Sequence, residues 1–312
     1  MYNRCNRHAC IDLQPTICFP TAGRFELTDR QMVQIYIDKY TPESCEYNFA
    51  NLFCWQETYA YTWRLYKGRL VIYDGVNQCA FMPLGEALPP DDLADLAREL
   101  MRDGLVPDIG LVQTDYLDEY PRCEQYFSIH PERDYGEYIY DVEKLCRLNT
   151  PKLHKKKNLI SQFERIYPDF EVTLLTPEKQ VMAQNMARDQ LNRQKPLSET
   201  LAAEFEAIKK AFMHFEALGL EGLALMVGDR MAAFSIFSPL TPDTCNVQFE
   251  KSDFDFKGAA QMINQQTALY VKDRYKYINR EQDLGIRGLR QAKKSYEPET
   301  ILIPHTLQLK RR

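Results

Sequence analysis

Residues 275–296 read YKYINREQDLGIRGLRQAKKSY. Tyr275, Tyr277 and Asn279 alternate with Lys276 and Ile278, the period of a short strand. A polar burst follows, Asn279-Arg280-Glu281-Gln282-Asp283. The chain then passes through Gly285 into a helical pattern in which Ile286, Leu289 and Ala292 or Lys293 recur. Lys293 and Lys294 fall in the last turn, where cations complement the helix dipole. A strand that ends in charge and turns into a helix sets carboxylates, a guanidinium and free N–H groups at a sheet edge. In open α/β sheets, ligands gather at that edge. Asp283 also reads as an N-cap and Arg280–Glu281 as a surface pair, but five consecutive polar residues exceed what a cap requires.

Upstream of this stretch, residues 170–175 alternate as a strand, and Thr176-Pro177 opens a helix that runs to about residue 192. Lys195-Pro196 breaks the chain. Ser198 then caps a longer helix with Leu201, Phe205, Ile208, Phe212 and Phe215 down one side, a core stripe closed by Gly219. Strands are expected at 222–227, 231–237 and 244–250, a helix from Lys257-Gly258-Ala259-Ala260 to about 272, and a last strand within 300–307. Strand, two helices, antiparallel strands, helix, strand, helix, strand is the order of the acyl-CoA N-acyltransferase (GNAT) fold.

The first half carries a more eroded version of this order. Thr28-Asp29-Arg30-Gln31 matches a capping box, and Met32, Ile35, Tyr36 and Tyr40 form the apolar face of the helix that follows. A second helix is expected over 46–57. Its Asn48 and Asn51 read as buried amides tying a loop to the helix, with ligand contact the alternative. Strands follow at 60–66, 69–73 and 78–82, then a helix at 91–102 with Leu93, Leu96, Ala97 and Leu100 on one face. A strand at 108–112, a short helix at 116–120 and a strand at 135–140 complete the half. The expected fold class is therefore α+β, with two tandem GNAT-like domains, each a mixed, mostly antiparallel central sheet flanked by helices. Residues 1–24 form an extension, 25–149 the first domain and 150–312 the second, and pairing the two halves would form a cleft.

The second domain opens with a basic helix. Thr150-Pro151 starts it, and His154-Lys155-Lys156-Lys157-Asn158 wraps most of its first two turns with positive charge. Solvation accounts for one lysine face; so dense a block meets phosphate, and an anionic partner is expected there. The whole chain, 312 residues with net charge −5, argues against general coating of nucleic acid, so any polyanion must meet a local patch. No apolar run approaches the roughly 20 residues needed to span a bilayer. The N-terminus has no signal-peptide apolar region, so a cytoplasmic protein is expected. Nine cysteines without a CxxC pair read as reduced thiols. Cys5, His8, Cys10 and Cys18 lie close together, but their spacing fits no recognised zinc pattern, and no metal is expected.

The runs Phe49-Ala50-Asn51-Leu52-Phe53-x-Trp55, Lys155-Lys156-Lys157-Asn158, Phe249-Glu250-Lys251 with Lys257-Gly258, and Ile278-Asn279-Arg280-Glu281-Gln282-Asp283-Leu284-Gly285 through Ser295-Tyr296 together resemble the phosphatidylglycerol lysyltransferase C-terminal domain family, from about residue 25 to the end. Similarity to membrane-bound lysyl-phosphatidylglycerol synthases and to Fem peptidyltransferases is weaker and mostly architectural. The resemblance implies transfer of an aminoacyl group from aminoacyl-tRNA, or another phosphate-bearing donor, to a lipid, peptide or small-molecule acceptor. It implies no required cofactor. The chain lacks the integral-membrane half of the lipid-modifying enzymes, so contact with a membrane would be peripheral.

Such a transfer needs a carboxylate for the substrate's ammonium, a donor for the developing oxyanion and a base for the nucleophile's proton. Glu281, Asp283 and Glu250 are the carboxylate candidates, with Glu281 the base or ammonium clamp. Asn279, Arg280, Lys257, Gly258, Lys155, Lys156, Lys157 and Asn158 are the substrate-binding candidates. Lys251 is expected in a salt bridge, and no cysteine or serine stands in a recognised nucleophile motif. One alternative is an N-acyltransferase that takes acetyl-CoA or another acyl-CoA on the 255–260 turn, DFKGAA, which keeps a single glycine. Another is a binding module that retained the fold without catalysis.

Overall fold

A computed structural model describes residues 23–193 and 199–310. The Cys5, His8, Cys10 and Cys18 group, the Lys195-Pro196 break and the Ser198 cap lie outside the described residues. Along the chain run α1 (Arg30–Tyr40), α2 (Phe49–Tyr59), β1 (Thr62–Tyr66), β2 (Arg69–Asp74), β3 (Cys79–Phe81), α3 (Pro90–Arg102), β4 (Ile109–Val112), α4 (Thr114–Glu119), β5 (Phe127–Pro131), β6 (Glu137–Asp141) and α5 (Val142–Arg147). Then come α6 (His154–Ile166), β7 (Phe170–Leu174), α7 (Pro177–Arg193), α8 (Glu199–Met213), β8 (Glu221–Val227), β9 (Arg230–Thr241), β10 (Thr244–Ser252), α9 (Ala259–Val271), β11 (Tyr277–Gln282), α10 (Arg287–Lys294), β12 (Thr300–Leu302) and β13 (His305–Leu309). The architecture is α+β, with two mixed, mostly antiparallel sheets flanked by helices, as expected. No helix among the described residues is long and apolar enough to cross a membrane.

The chain divides into two compact units. The first holds the described parts of Met1–Tyr40, Trp55–Glu132 and Ile303–Arg312. Its sheet runs β1-β2-β3-β4-β13-β5, antiparallel except for the β3–β4 pair. Helix α3 lays Leu93, Leu96, Ala97 and Leu100, the face its periodicity predicts, into a core with Tyr73, Ile109 and Leu307. On α1 the buried side chains are Val33 and Ile37. The expected face is displaced there: Ile35 is 61% exposed.

The second unit holds Thr41–Cys54 and Arg133–Leu302. Its sheet runs β12-β6-β11-β10-β9-β8-β7. All neighbours are antiparallel except β10 and β11. Its core gathers Tyr138 and Tyr140 of β6, Phe163 of α6, Phe237 of β9 and Met262 and Ile263 of α9. These units are drawn differently from a cut between residues 149 and 150. Strand β6 joins the second sheet, and the terminal β13 returns to the first, between β4 and β5. Alternating burial marks a segment as a strand and names its inward face, but it does not name the neighbour.

The parallel pair opens the second sheet at one edge. β10 and β11 pair only over Thr244–Asn246 and Tyr277–Asn279. Beyond that point β10 keeps pairing with β9 as far as Ser252, through a bulge between Val247 and Phe249, while β11 bulges against β6. The two strands part at their carboxyl ends, the edge at which open sheets place ligands.

Candidate functional site

In the β11–β6 ladder Asn279 faces Ile139 and Gln282 faces Glu137, so Arg280 and Glu281 together oppose a single residue. This is a bulge, and it re-aims the side chains it carries. Glu281 sits in the left-handed region at φ +58°, uncommon for a residue with a Cβ. What holds it there is local: its N–H donates to Asn279 Oδ1 at 2.8 Å. Asn279 is fully buried and donates through Nδ2 to Glu137 Oε2 at 2.6 Å. Glu137, buried as well, accepts from Ser44 Oγ at 2.5 Å and Cys45 N at 2.8 Å. Burial raises the Glu137 carboxyl, and the bonds from the Cys45 amide, Ser44 and Asn279 oppose the rise. Asn279, expected to touch substrate, is instead a bracket that shapes the bulge.

Glu281 is partly buried, and its Oε1 accepts from Asn51 Nδ2 at 2.8 Å and Asn246 Nδ2 at 2.9 Å. Desolvation pushes its carboxyl up to about 7; the two amides and Lys293 pull it back, and Glu137 pushes the same way as burial. Lys293 Nζ donates to the Arg280 carbonyl. Burial and the Arg280 charge bring its ammonium down to about 8, against the attraction of Glu281 and Glu250. A carboxylate and an amine that both titrate near neutrality therefore share one neighbourhood, a recurring property of acid–base sites.

Arg280 pairs with Glu250 at 2.7 Å, both side chains 15% exposed. Asn264 Nδ2 donates to the other Glu250 oxygen at 3.3 Å. The guanidinium lies 5.7 Å from the Tyr140 ring centroid and 5.1 Å from that of Tyr296. Lys156 Nζ stands 4.3 Å from the same Tyr296 ring. Burial, then repulsion from Arg280, lowers the Lys156 ammonium. Of the basic block, then, Lys156 reaches the site, whereas Lys155, Lys157 and Asn158 are exposed. The reason is helical: residues adjacent in sequence point about 100° apart, so a run of lysines cannot converge on one spot.

Three other expectations change. Asp283 is fully buried and saturated. It accepts from Tyr138 Oη at 2.5 Å, from Arg290 Nε at 2.9 Å and Nη2 at 2.7 Å, and from Gly285 N at 2.9 Å. Burial alone would raise its carboxyl, but Arg290, Tyr138 and the Gly285 amide outweigh it and bring it down to about 2. With no access and no spare acceptor it anchors the loop after β11 rather than reacting. Nor does it cap α10, whose N-cap is Ile286. Gly258 takes φ +95°, and a Cβ there would stand 2.5 Å from the Leu159 carbonyl, so its glycine serves close approach of α9 to α6. Lys257 is exposed. Lys251 forms the expected salt bridge, to Glu204 at 2.8 Å.

Sequence reasoning missed Asn246, Asn264, Glu137, Lys293 and the ring set Tyr138, Tyr140 and Tyr296, and left Asn51 undecided. One signal was present. Asn246, Gln248 and Glu250 fall at alternate positions of β10, a polar period in a central strand where apolar side chains are the rule; a bulge between Val247 and Phe249 then keeps them from sharing one face.

A sequence model described as phosphatidylglycerol lysyltransferase, C-terminal, matches residues 38–303. A conserved protein of unknown function from Bacteroides thetaiotaomicron is 30% identical, with 93% of this chain and 99% of that one covered at TM-score 0.86. L-PGS from Bacillus licheniformis is 13% identical, covering 92% and 93% at TM-score 0.65. FemX is 8% identical, covering 93% and 97% at TM-score 0.58. The likeness to these last two is one of fold, a tandem GNAT-like arrangement.

Proposed function

The chain belongs to the phosphatidylglycerol lysyltransferase C-terminal family, and from that membership and the geometry around Glu281 we propose that it is an acyltransferase of the aminoacyl type, working at the bulge of β11. The donor is aminoacyl-tRNA or another phosphate-bearing ester; the acceptor is a lipid, peptide or small molecule with a nucleophilic hydroxyl or amine. Glu281 takes the proton of the nucleophile as its heteroatom bonds to the ester carbonyl. The ester C–O bond then breaks, and the proton passes to the departing hydroxyl. Lys156, which lies on the Tyr296 ring and has no carboxylate contact among the described residues, meets the donor's phosphate; Arg280, held by Glu250, supplies positive charge beside the developing oxyanion. A lipid acceptor would be reached from the membrane surface, since no described helix crosses a bilayer.

The observation that carries this reading is Glu281 itself. It is a carboxyl poised near neutrality, on a strained bulge, where two parallel strands part. The decisive experiment incubates purified protein with charged tRNA and a panel of hydroxyl and amine acceptors, with acetyl-CoA as the competing donor. Turnover with the charged tRNA and a loss of about 100-fold or more in kcat for Glu281→Gln are expected. Turnover with acetyl-CoA alone would move the assignment to acyl-CoA chemistry. Binding of both donors without turnover, unchanged by Glu281→Gln, would make the protein a binding module.

A further inference from the structure

Strand β7 ends the second sheet on the side away from β12 and pairs with β8 alone. Its five residues, Phe170–Leu174, run opposite Val227 to Leu223 without a register shift. Leu175 N–H donates to the Gly222 carbonyl at 2.9 Å, which continues the same register. Bonded pairs in an antiparallel ladder fall at every second position. Glu171, Thr173 and Leu175 therefore bond to β8, while Phe170, Val172 and Leu174 turn their N–H and C=O groups outward. Two of these outward groups have local partners. Phe170 N–H donates to the Tyr167 carbonyl at 3.2 Å, and the Leu174 carbonyl accepts from Thr176 N–H at 2.9 Å. The Phe170 carbonyl, both groups of Val172 and the Leu174 N–H have no partner among the described residues.

Such an edge is a template for another strand, and natural sheets commonly blunt theirs with a proline, a bulge or charge. β7 has no proline and no bulge, and its one charge is Glu171. Its side chains leave matching groups open as well. On one face, Phe170 and Val172 pack partly against the core, and Leu174 is 56% exposed. On the other face, Thr173 Oγ1 accepts from Lys179 Nζ of α7 at 2.7 Å. Glu171, two positions away on that face, is exposed. Neither it nor Lys179 has an ion-pair partner among the described residues.

We infer that β7 is a dimerisation edge, which pairs antiparallel with β7 of a second copy of this chain about a two-fold axis through Val172. That register sets Val172 against its own counterpart, Glu171 against Thr173 of the other copy, and Phe170 against Leu174. Each Val172 N–H then donates to the opposite Val172 carbonyl, and each Leu174 N–H to the opposite Phe170 carbonyl. Every group left open on the edge is paired, and the bonds this ladder forgoes are those of Phe170 N–H and Leu174 C=O, which already have partners. Moving the axis to Glu171 would set two carboxylates face to face. Moving it to Thr173 would leave the Phe170 carbonyl open.

Residues directly opposite in an antiparallel pair share a face and come within side-chain contact. Glu171 therefore meets the Thr173–Lys179 pair of the other copy, and the two-fold axis makes this ion pair twice. Phe170 and Leu174 meet on the opposite face, where Leu174 loses its exposure. β8, β9 and β10 separate β7 from β11, about 19 Å at ordinary strand spacing, so the pairing leaves the Glu281 bulge untouched.

The test is sedimentation of the full chain in low salt over about 1–500 µM. One five-residue strand per copy makes a small interface of the transient class, so a dimer with Kd of about 10–100 µM is expected. Amide exchange reads the register: Val172 and Leu174 should slow as concentration rises, whereas Glu171 and Thr173, bonded to β8, should not change. Val172→Pro removes an N–H that serves the edge alone and should weaken the dimer about tenfold or more at unchanged circular dichroism. Glu171→Lys sets like charges together on both sides of the axis and should weaken it about fivefold; adding Lys179→Glu should restore it to within about twofold. A protein that stays monomeric throughout overturns the inference. So does a dimer indifferent to Val172→Pro, or one that the double charge swap fails to restore. Protection of Val172 and Leu174 that is independent of concentration would show the edge covered by its own chain, and overturns it too.

Discussion

Glu281→Gln should make the protein more stable at alkaline pH while removing its activity. The native carboxyl is held at about 7 against an ordinary 4.5. A gap of about 2.5 units corresponds to about 3 kcal/mol between protonated and ionised forms. The sign follows from proton binding. Between pH 4.5 and 7 the native state holds this proton more tightly than the unfolded chain does, so stability declines through that window and the penalty is complete above it. Glutamine cannot ionise, yet its Oε1 can still accept from Asn51 and Asn246, so the variant escapes the penalty without losing those bonds. Part of the gain is returned, because Lys293 loses a neighbouring negative charge that favours its ammonium. The net expectation is an increase of about 1–2 kcal/mol at pH 8.5 and almost none at pH 4.5. Urea unfolding of both proteins at the two pH values measures it, with the slopes compared to confirm that the same surface unfolds. An offset of equal size at both pH values, or a variant weaker at pH 8.5, would show that Glu281 is not a desolvated carboxylate and would remove the physical basis for casting it as a base.

Asp283→Ala should destabilise the protein by about 3–5 kcal/mol, because it leaves Arg290 and Arg133 facing a buried void. In the wild type, the Asp283 contribution should persist at neutral pH and disappear as pH falls from about 4 towards 2, since its carboxyl is held at about 2 against 3.8; acid titration of the urea midpoint reads both effects. Gly258→Ala combines a left-handed backbone at φ +95° with a Cβ 2.5 Å from the Leu159 carbonyl. A loss of about 2 kcal/mol or more is expected from thermal melts; an unchanged Tm would show that α6 yields. Lys156→Met should weaken a phosphate-bearing donor about tenfold at low salt, while Lys155→Met and Lys157→Met should change affinity less than threefold. Equal losses at all three positions would return the role to a diffuse basic patch.

Much of the fold was legible because its periods are strong. The α3 stripe from Leu93 to Leu100 appears as the sequence predicts it. So do the hairpin strands β1 and β2, whose Tyr66 and Arg69 close the register across Lys67-Gly68. Strand partnership was not legible. β6 and β13 read as strands, but no local feature says that one belongs to the second sheet and the other to the first. The site divides along the same line. Glu281, Arg280 and Glu250 could be picked out because charge at the end of a strand is unusual. Asn51, Asn246 and Glu137 could not, because their meaning comes from contacts across 230, 35 and 142 residues of chain.

The consecutive polar residues 279–283 look interchangeable in sequence, yet the fold gives them separate tasks. Asn279 and Asp283 face inward and are saturated; the first ties Glu281 to Glu137, and the second ties the following loop to Tyr138 and Arg290. Between them Arg280 and Glu281 occupy the bulge, one paired with Glu250 and the other holding a raised carboxyl. A left-handed glutamate costs about 1–2 kcal/mol and its desolvation costs more. Such an arrangement persists only where its flanks over-determine it. The buried anchors on either side supply that constraint, and their hydrogen-bonding groups are matched so fully that they have nothing left to offer a substrate. Within the segment, the strain falls instead on the carboxylate that keeps a free oxygen. A segment built only to hold a loop in place would have spread its polar groups into pairs and left none of them desolvated and underused.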